Sequence, residues 1–205
     1  MTPQEEGVIK FRLEHTPAAP LGKEQVAELN TWRDWMFARA LIGEIDTPQG
    51  KVGYGNLSRR LAAGFAITGS QTGHLAQLTP NEYAVVDTCS PERNLVVSHG
   101  PIQPSSEALT HAILYQVDEQ IHWVMHAHHA PIWQAAKTLG LPCTSPEAAY
   151  GTPEMAAETM RLFAETDVRQ TGIFAMAGHE DGMISFGETA EQAADVMRRF
   201  LELVR

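Results

Sequence analysis

His122-Trp-Val-Met-His-Ala-His-His129 places four of the chain's nine histidines within eight residues. Ile121, Trp123 and Met125 alternate with His122, Val124 and His126, which is the period of two of a β-strand. Residues two apart on a strand share a face, so His126 and His128 can bring their imidazoles to one point, as two ligands of a metal ion must. By itself an H-x-H pair is a weak signal, because a strand histidine is more often packed in a core or solvated. The surrounding sequence has to decide.

Two familiar settings for H-x-H do not fit. A cupin site needs a glutamate four or five residues after the pair, where this chain has Ile132 and Trp133. A metal-dependent TIM-barrel hydrolase needs roughly 250 residues and carries its pair near the N-terminus. The helical H-E-x-x-H of metalloproteases is absent. After the histidine strand, Pro131 opens a helix with the stripe Ile132, Ala135, Ala136 and Leu139, stopped at Gly140. Before it, Pro104-Ser-Ser-Glu107 opens a helix whose stripe is Leu109, Ala112, Ile113 and Val117.

Further upstream, Val26, Leu29, Trp32, Met36 and Leu41 predict a helix from Lys23 to Ile42, ended by Gly43. Strands are expected at Lys51–Gly55, Gly64–Thr68, Ala84–Asp87 and Leu95–Ser98, with Thr79-Pro80 as a capped helix start. Downstream, Thr152-Pro153 begins a helix with Met155, Leu162 and Phe163 inward. Strands follow at Thr171–Ala177 and Met183–Phe186 around the loop Gly178–Gly182. Thr189-x-x-Gln192 is a capping box for a last helix that buries Ala193, Val196, Met197, Phe200 and Val204. Strands and helices mix without strict β-α-β alternation, which predicts an α/β domain with a central mixed or antiparallel sheet flanked by helices. Residues 1–20, with three prolines, read as an extended lead-in, and residues 21–205 as one domain.

The bulk numbers agree with such a domain. The chain has 205 residues, 43% of them hydrophobic and 20% charged, enough to bury a core. A formal net charge of −10 argues against a nucleic-acid groove built on phosphate neutralisation. Cys89 and Cys143 form no metal knuckle or redox pair, so a reduced cytoplasmic setting is expected. Met1-Thr-Pro-Gln-Glu-Glu6 lacks the apolar core of a signal peptide, and no apolar run is long enough to span a membrane.

Ser105-Ser106-Glu107 has two readings that use the same physics. Serine and glutamate make a good helix N-terminus, and free N–H groups with two hydroxyls there also make an anion site. Glu107 can then serve as a base or as a further metal ligand. His111, four residues on, shares its face and is expected to pack or hydrogen-bond structurally. Gly55-Asn-Leu-Ser58 and Thr72-Gly73 are turn chemistry or, equally, small side chains with exposed donors. His179 is either a loop residue or a third ligand, and three histidines with an open position make a catalytic zinc site.

The ordered set is more specific than its parts. Gly-Asn-Leu-Ser-Arg (55–59), Thr-Gly (72–73), Leu-Thr-Pro-Asn-Glu…Val-Val-Asp (78–87) and Pro-Ser-Ser-Glu-x-x-x-His (104–111) come first. Val-Met-His-Ala-His (124–128), Tyr-Gly-Thr-Pro-Glu-Met (150–155) and Gly-His-Glu-Asp-Gly…Phe-Gly-Glu-Thr (178–189) follow. In this order they resemble the class II aldolase/adducin family, over roughly residues 25–205.

That resemblance implies a three-layer α/β/α fold around a mainly antiparallel sheet, usually assembled as a homotetramer. It matches His126, His128 and His179 to zinc ligands, with another divalent transition metal as the alternative. It matches Glu107 to an acid/base glutamate, and Asn56, Thr72, Gly73, Ser105 and Ser106 to a sugar-phosphate pocket. The implied chemistry is lyase chemistry on a small hydroxy-carbonyl compound: zinc acts as Lewis acid on a developing enediolate while Glu107 moves the proton. Aldol cleavage is the default, with dehydration or epimerisation as alternatives; a non-catalytic adducin-like module would be expected to have lost these ligands.

Three features depart from the family pattern. The loop Gly178-His179-Glu180-Asp181-Gly182 is two residues longer than Asn-His-Gly or His-His-Gly. An acidic pair beside the metal would favour a cation and repel an anionic substrate. Where the aldolase has a tyrosine acid this chain has Glu147, in the general stretch where the dehydratase uses a glutamate, so Glu147 is a second candidate proton donor beside its alternative as a solvated loop residue. Finally, the phosphate pocket shows no obvious cation.

Overall fold

The computed structural model describes residues 7–47 and 50–205. Residues 1–6, including the stretch read against a signal peptide, lie outside the described residues. The elements are β1 (Arg12–Pro17), α1 (Lys23–Phe37), β2 (Gly43–Thr47), β3 (Gly50–Tyr54), β4 (Asn56–Arg60), β5 (Phe65–Thr68), β6 (Tyr83–Ser90) and β7 (Leu95–Gly100). They continue with α2 (Ala108–Val117), β8 (Trp123–His128), α3 (Ala130–Ala135), α4 (Pro153–Glu165), α5 (Val168–Thr171), β9 (Ile173–Ala175), β10 (Gly182–Gly187) and α6 (Ala190–Leu203).

Eight strands form one sheet in the order β1-β7-β6-β5-β4-β8-β10-β9, and β2 and β3 form a separate antiparallel pair. Within the large sheet only β1–β7 is parallel. Side-chain alternation sends Phe65, Ile67, Val124 and Ile184 to one face, where they pack with Leu109, Leu114, Leu162 and Phe163 of α2 and α4. Leu57, Ala66, Met125 and Met183 go to the other face, against Leu29 and Met36 of α1 and Ala193, Met197 and Phe200 of α6. The result is the expected three-layer α/β/α fold on a mostly antiparallel sheet. Among the described residues no helix is long and apolar enough to cross a membrane.

Several elements differ from the sequence expectation for physical reasons. Residues 12–17, read only as part of an extended lead-in, pair along β7 and supply the sheet's edge strand. Helix α1 stops at Phe37, well before Gly43. Ala40 takes the left-handed conformation (φ 54°), the Leu41 amide donates to the Met36 carbonyl and the Ala40 amide to the Phe37 carbonyl. That is a Schellman motif with an alanine where glycine is usual, and Leu41 and Met36 supply its apolar contact. Residues 56–58, read as the connection between two strands, open the central strand β4. The expected strand Thr171–Ala177 shortens to β9, because Val168–Thr171 is helical and Gly172 ends that turn with φ 69°.

Candidate metal centre

Strand β8 lies between β4 and β10, with His126 opposite Asn56 on one side and Ile184 on the other. His126 and His128 face the α2 side of the sheet. The hairpin loop joining β9 to β10 folds tightly: the His179 amide donates to the Met176 carbonyl and the Gly182 amide to the His179 carbonyl. This turn brings the third imidazole over the strand. Nε2 of His128 lies 3.2 Å from Nε2 of His126 and 3.1 Å from Nε2 of His179.

The three nitrogens fit a metal. Zinc–nitrogen bonds of about 2.0–2.1 Å in a tetrahedron put ligand nitrogens roughly 3.3 Å apart, close to the spacing seen. The His126 Nδ1–H donates to the Met183 carbonyl at 3.1 Å, which leaves its Nε2 lone pair facing the other two rings. Burial pushes His126 down to about 4, with the Met183 bond opposing. His128 and His179 are held well below the ordinary imidazole range by burial first and by their histidine neighbours second. All three are therefore neutral near pH 7, as metal ligands must be. Among the described residues they form the one group of three that can hold a metal ion.

Glu107 enters from the helix layer. It is the N-cap of α2, and its amide donates to Ser105 Oγ at 3.2 Å, while the Ser105 amide is held by the Thr68 carbonyl. The serine thus braces the turn rather than capping the helix. Glu107 is 3% exposed, and its Oε1 lies 3.7 Å from His179 Nε2 and 4.0 Å from His126 Nε2. The other oxygen accepts from Thr110 Oγ1 at 3.0 Å, which fixes the carboxylate plane. One pocket joins Glu107 and His126 to Asn56, Thr72, Gly73, Ser105 and Ser106. Asn56 Oδ1, which belongs to a residue lining this pocket, is buried without a hydrogen-bond partner among the described residues.

Glu147 is not brought to this pocket. It is exposed and accepts from the Ser145 hydroxyl. Its loop does touch the site's frame: a Cβ on Gly178 would meet the Ala148 carbonyl oxygen at 2.1 Å. The acidic pair is also turned outward. Glu180 is exposed, while Asp181 holds the His129 amide with its carbonyl and bears electrostatically on the His129 ring. Of the two remaining clustered histidines, His122 is exposed and His129 caps α3, its Nδ1 accepting from the Ile132 amide. His111 is structural, in a buried chain with Ser58 Oγ at 2.7 Å, which in turn meets the Tyr115 hydroxyl at 2.7 Å.

Four features of the site have no site role in the sequence pattern, although Tyr150 stands in one of its motifs. The Tyr54 ring packs on His128 and the Tyr150 ring on His179, at 5.2 and 4.7 Å between centroids. The segment before β1 contributes too. Gly7 lines the pocket, the Val8 amide donates to the Tyr150 hydroxyl, and Lys10 Nζ lies 3.5 Å from the Tyr150 ring centre. Arg33 of α1, 1% exposed, donates to the carbonyls of Thr72 (3.2 Å), Gly73 (3.1 Å) and Ala76 (3.1 Å). Burial lowers its pKa, with Asp34 and Tyr83 opposing.

Gly73 itself is sterically required, since a Cβ there would meet the Gly43 carbonyl oxygen at 2.2 Å. Gly73→Ala is expected to cost about 1–3 kcal/mol, the usual range for overpacking, read as a lowered urea midpoint with an unchanged slope. A midpoint equal to that of the parent chain would show that the loop has room the geometry denies.

Comparison with known proteins agrees with this fold. The Class II Aldolase and Adducin N-terminal domain family matches residues 50–205. The fold is similar to that of L-fuculose-1-phosphate aldolase from Thermus thermophilus, at 22% identity and TM-score 0.62, covering 86% of this chain and 88% of that one. It is also similar to another L-fuculose 1-phosphate aldolase, at 22% identity and TM-score 0.65, with 90% and 84% covered. YgbL from Escherichia coli gives 20% identity and TM-score 0.63, with 89% and 86% covered. No curated protein sequence matches the chain significantly. With the matched segment spanning all three histidines and the strands that carry them, the chain belongs to the class II aldolase and adducin N-terminal domain family.

Proposed function

We propose that this protein is a zinc-dependent lyase that cleaves a carbon–carbon bond in a small hydroxy-carbonyl compound, a sugar phosphate by preference. The observation that carries the reading is the buried Glu107 carboxylate, 3.7 and 4.0 Å from two of three converging imidazoles and open to the pocket of Asn56, Thr72, Gly73, Ser105 and Ser106. An adducin-like interaction module has no need of such a set. His126, His128 and His179 would hold the ion, which when bound supplies Lewis-acid polarisation of a neighbouring carbonyl and hydroxyl.

The chain's own groups then do the rest. Asn56, Thr72, Gly73, Ser105 and Ser106 hold the far end of the substrate and so fix the reacting carbons against Glu107. In the cleavage direction the electron pair of the breaking bond moves toward the carbonyl of one fragment. The other fragment leaves as an aldehyde as its hydroxyl gives its proton to the Glu107 carboxylate, and the first takes that proton up at carbon, which returns Glu107 to its ionised form. Glu107 is the group placed to carry that carbon-bound proton. Dehydration and epimerisation use the same polarised carbonyl and are the alternatives within the family.

The test is aldehyde or ketone release by the zinc-loaded protein from a panel of small sugar phosphates and unphosphorylated 2-hydroxy carbonyls. Release from at least one member supports the reading, and metal-replete protein inert toward all of them counts against it. We also propose a homotetramer, on the family resemblance. Light scattering should give about four times the 22.5 kDa chain mass. A monomer mass would remove this assembly.

A further inference from the structure

We propose that Arg33 is the cation of the substrate pocket, acting from behind the Thr72–Gly73 loop to make it selective for a phosphorylated substrate. The inference rests on the pocket being the substrate site proposed above and names the chemistry of what it takes.

Arg33 stands in the buried stripe of α1 with Val26, Leu29 and Met36. An arginine there carries a full charge into the interior, since its guanidinium does not lose its proton in proteins. No carboxylate bonds it among the described residues; its partners are the carbonyls of Thr72, Gly73 and Ala76 and the face of Phe37, 4.6 Å away. Asp34 bears on Arg33 electrostatically from an exposed position, but burial outweighs it, and the three carbonyl dipoles offset only part of the cost of the buried charge. The missing negative charge has an evident place. Thr72 and Gly73 line the pocket on the other side of the same loop.

The peptide geometry carries the charge across. In a trans peptide the N–H points opposite to the C=O. The Thr72 carbonyl accepts from Arg33 and from the Leu75 amide, and this orientation turns the Gly73 amide away from Arg33. Neither the Thr72 nor the Gly73 amide donates to an acceptor among the described residues. With the Thr72 hydroxyl committed to the Gly69 carbonyl at 2.9 Å, the loop offers backbone donors backed by a positive charge. One hydrogen bond, one peptide and a second hydrogen bond span roughly 8 Å. At an effective dielectric of about 20, Coulomb's law over that distance gives about a thirtyfold effect on a singly charged anion.

The experiment uses inorganic phosphate as the probe and the full-length zinc-loaded protein, with binding followed by calorimetry and metal content by elemental analysis. Arg33→Gln should keep its metal and weaken phosphate binding at least tenfold. Arg33→Lys keeps the charge and loses the fork, and should stay within about threefold of the parent. A staple without an electrostatic role would instead lower thermal stability in both variants and leave the phosphate dissociation constant alone. Folded Arg33→Gln protein with parental phosphate affinity would overturn the proposal.

If either variant does not fold, amide shifts in the parent protein decide. Phosphate should move the Thr72 and Gly73 amide signals and slow solvent exchange of the Arg33 guanidinium protons. Absence of both changes at saturating phosphate would overturn the proposal equally. The lyase reading fails separately: a parent chain that binds phosphate through Arg33 but holds no metal keeps this inference and loses that one. Metal-replete protein that ignores phosphate does the reverse.

Discussion

His126→Ala/His128→Ala is expected to contain essentially no divalent metal and to lose at least about a thousandfold in turnover on any substrate the parent protein cleaves. Lewis-acid stabilisation is worth several kcal/mol, and each ~1.4 kcal/mol is a factor of ten. Elemental analysis before and after dialysis against chelator measures the first quantity directly. An unchanged metal content in the double variant would dismiss the site, whatever happened to activity. The parent chain should also show a metal-dependent melting temperature, because an ion that binds only the folded site stabilises by mass action. That dependence should vanish in the double variant.

The same histidines set a pH signature. His126 is lowered in the fold to about 4 from 6.5, by burial against the opposing Met183 bond, and His128, His179 and His111 are also held well below the ordinary imidazole range, by burial first and neighbouring imidazoles second. A depressed folded-state value means that the unfolded chain takes up these protons first, starting near pH 6.5. The stability these groups confer is complete above that pH. For His126 it is lost as the pH falls from about 6.5 through 4, by up to about 1.4 kcal/mol per pH unit, and the other three histidines add to the loss below about 6.5. Protons compete with the metal over the same interval, so acid should release the ion before it unfolds the chain. A metal-free melting temperature that stayed flat between pH 7 and 5 would contradict this account.

How much of the molecule is legible in its sequence follows from the range of each signal. The convergence of His126 and His128 needs only strand periodicity, and α6 only a capping box and an apolar stripe. Both are local, and both hold. His179 and Glu107 come to the pair through tertiary structure, from a hairpin loop and a helix N-terminus far away in the chain. Only the ordered motifs connect them. Arg33 shows the opposite failure. Val26, Leu29 and Met36 share a face with it, but an arginine in an apolar stripe reads as a defect, so the spacing predicts Trp32 as the inward residue. Trp32 is instead half-buried, and Arg33 is inside because three backbone carbonyls of a loop 39–43 residues away accept its protons. No pattern within α1 encodes that. Likewise β1 carries no signal until β7 is present to pair with it.

Glu107→Gln compared with Glu147→Gln separates the two carboxylates that sequence alone leaves as joint candidates. The first substitution keeps volume and retains an acceptor for Thr110, so the fold and the three imidazoles should be undisturbed. What it removes is a buried group able to exchange a proton beside the metal ligands. General acid–base catalysis contributes about 10²–10⁴, and a fall of that size in kcat with KM and metal content held is the expected result. Glu147→Gln should change kcat by less than about twofold, the behaviour of an exposed surface substitution. Its carboxylate is exposed and tied to Ser145, and what its loop brings to the site is backbone against Gly178 and the Tyr150 ring on His179, not a carboxylate. The reverse result is equally informative. A Glu147→Gln enzyme slowed a hundredfold, with Glu107→Gln nearly intact, would mean that the reacting carbon lies over the Gly178–Gly182 loop and not over the α2 N-terminus. The proton would then arrive from the solvent side of the metal, and the pocket of Ser105 and Ser106 would hold the part of the substrate that does not react.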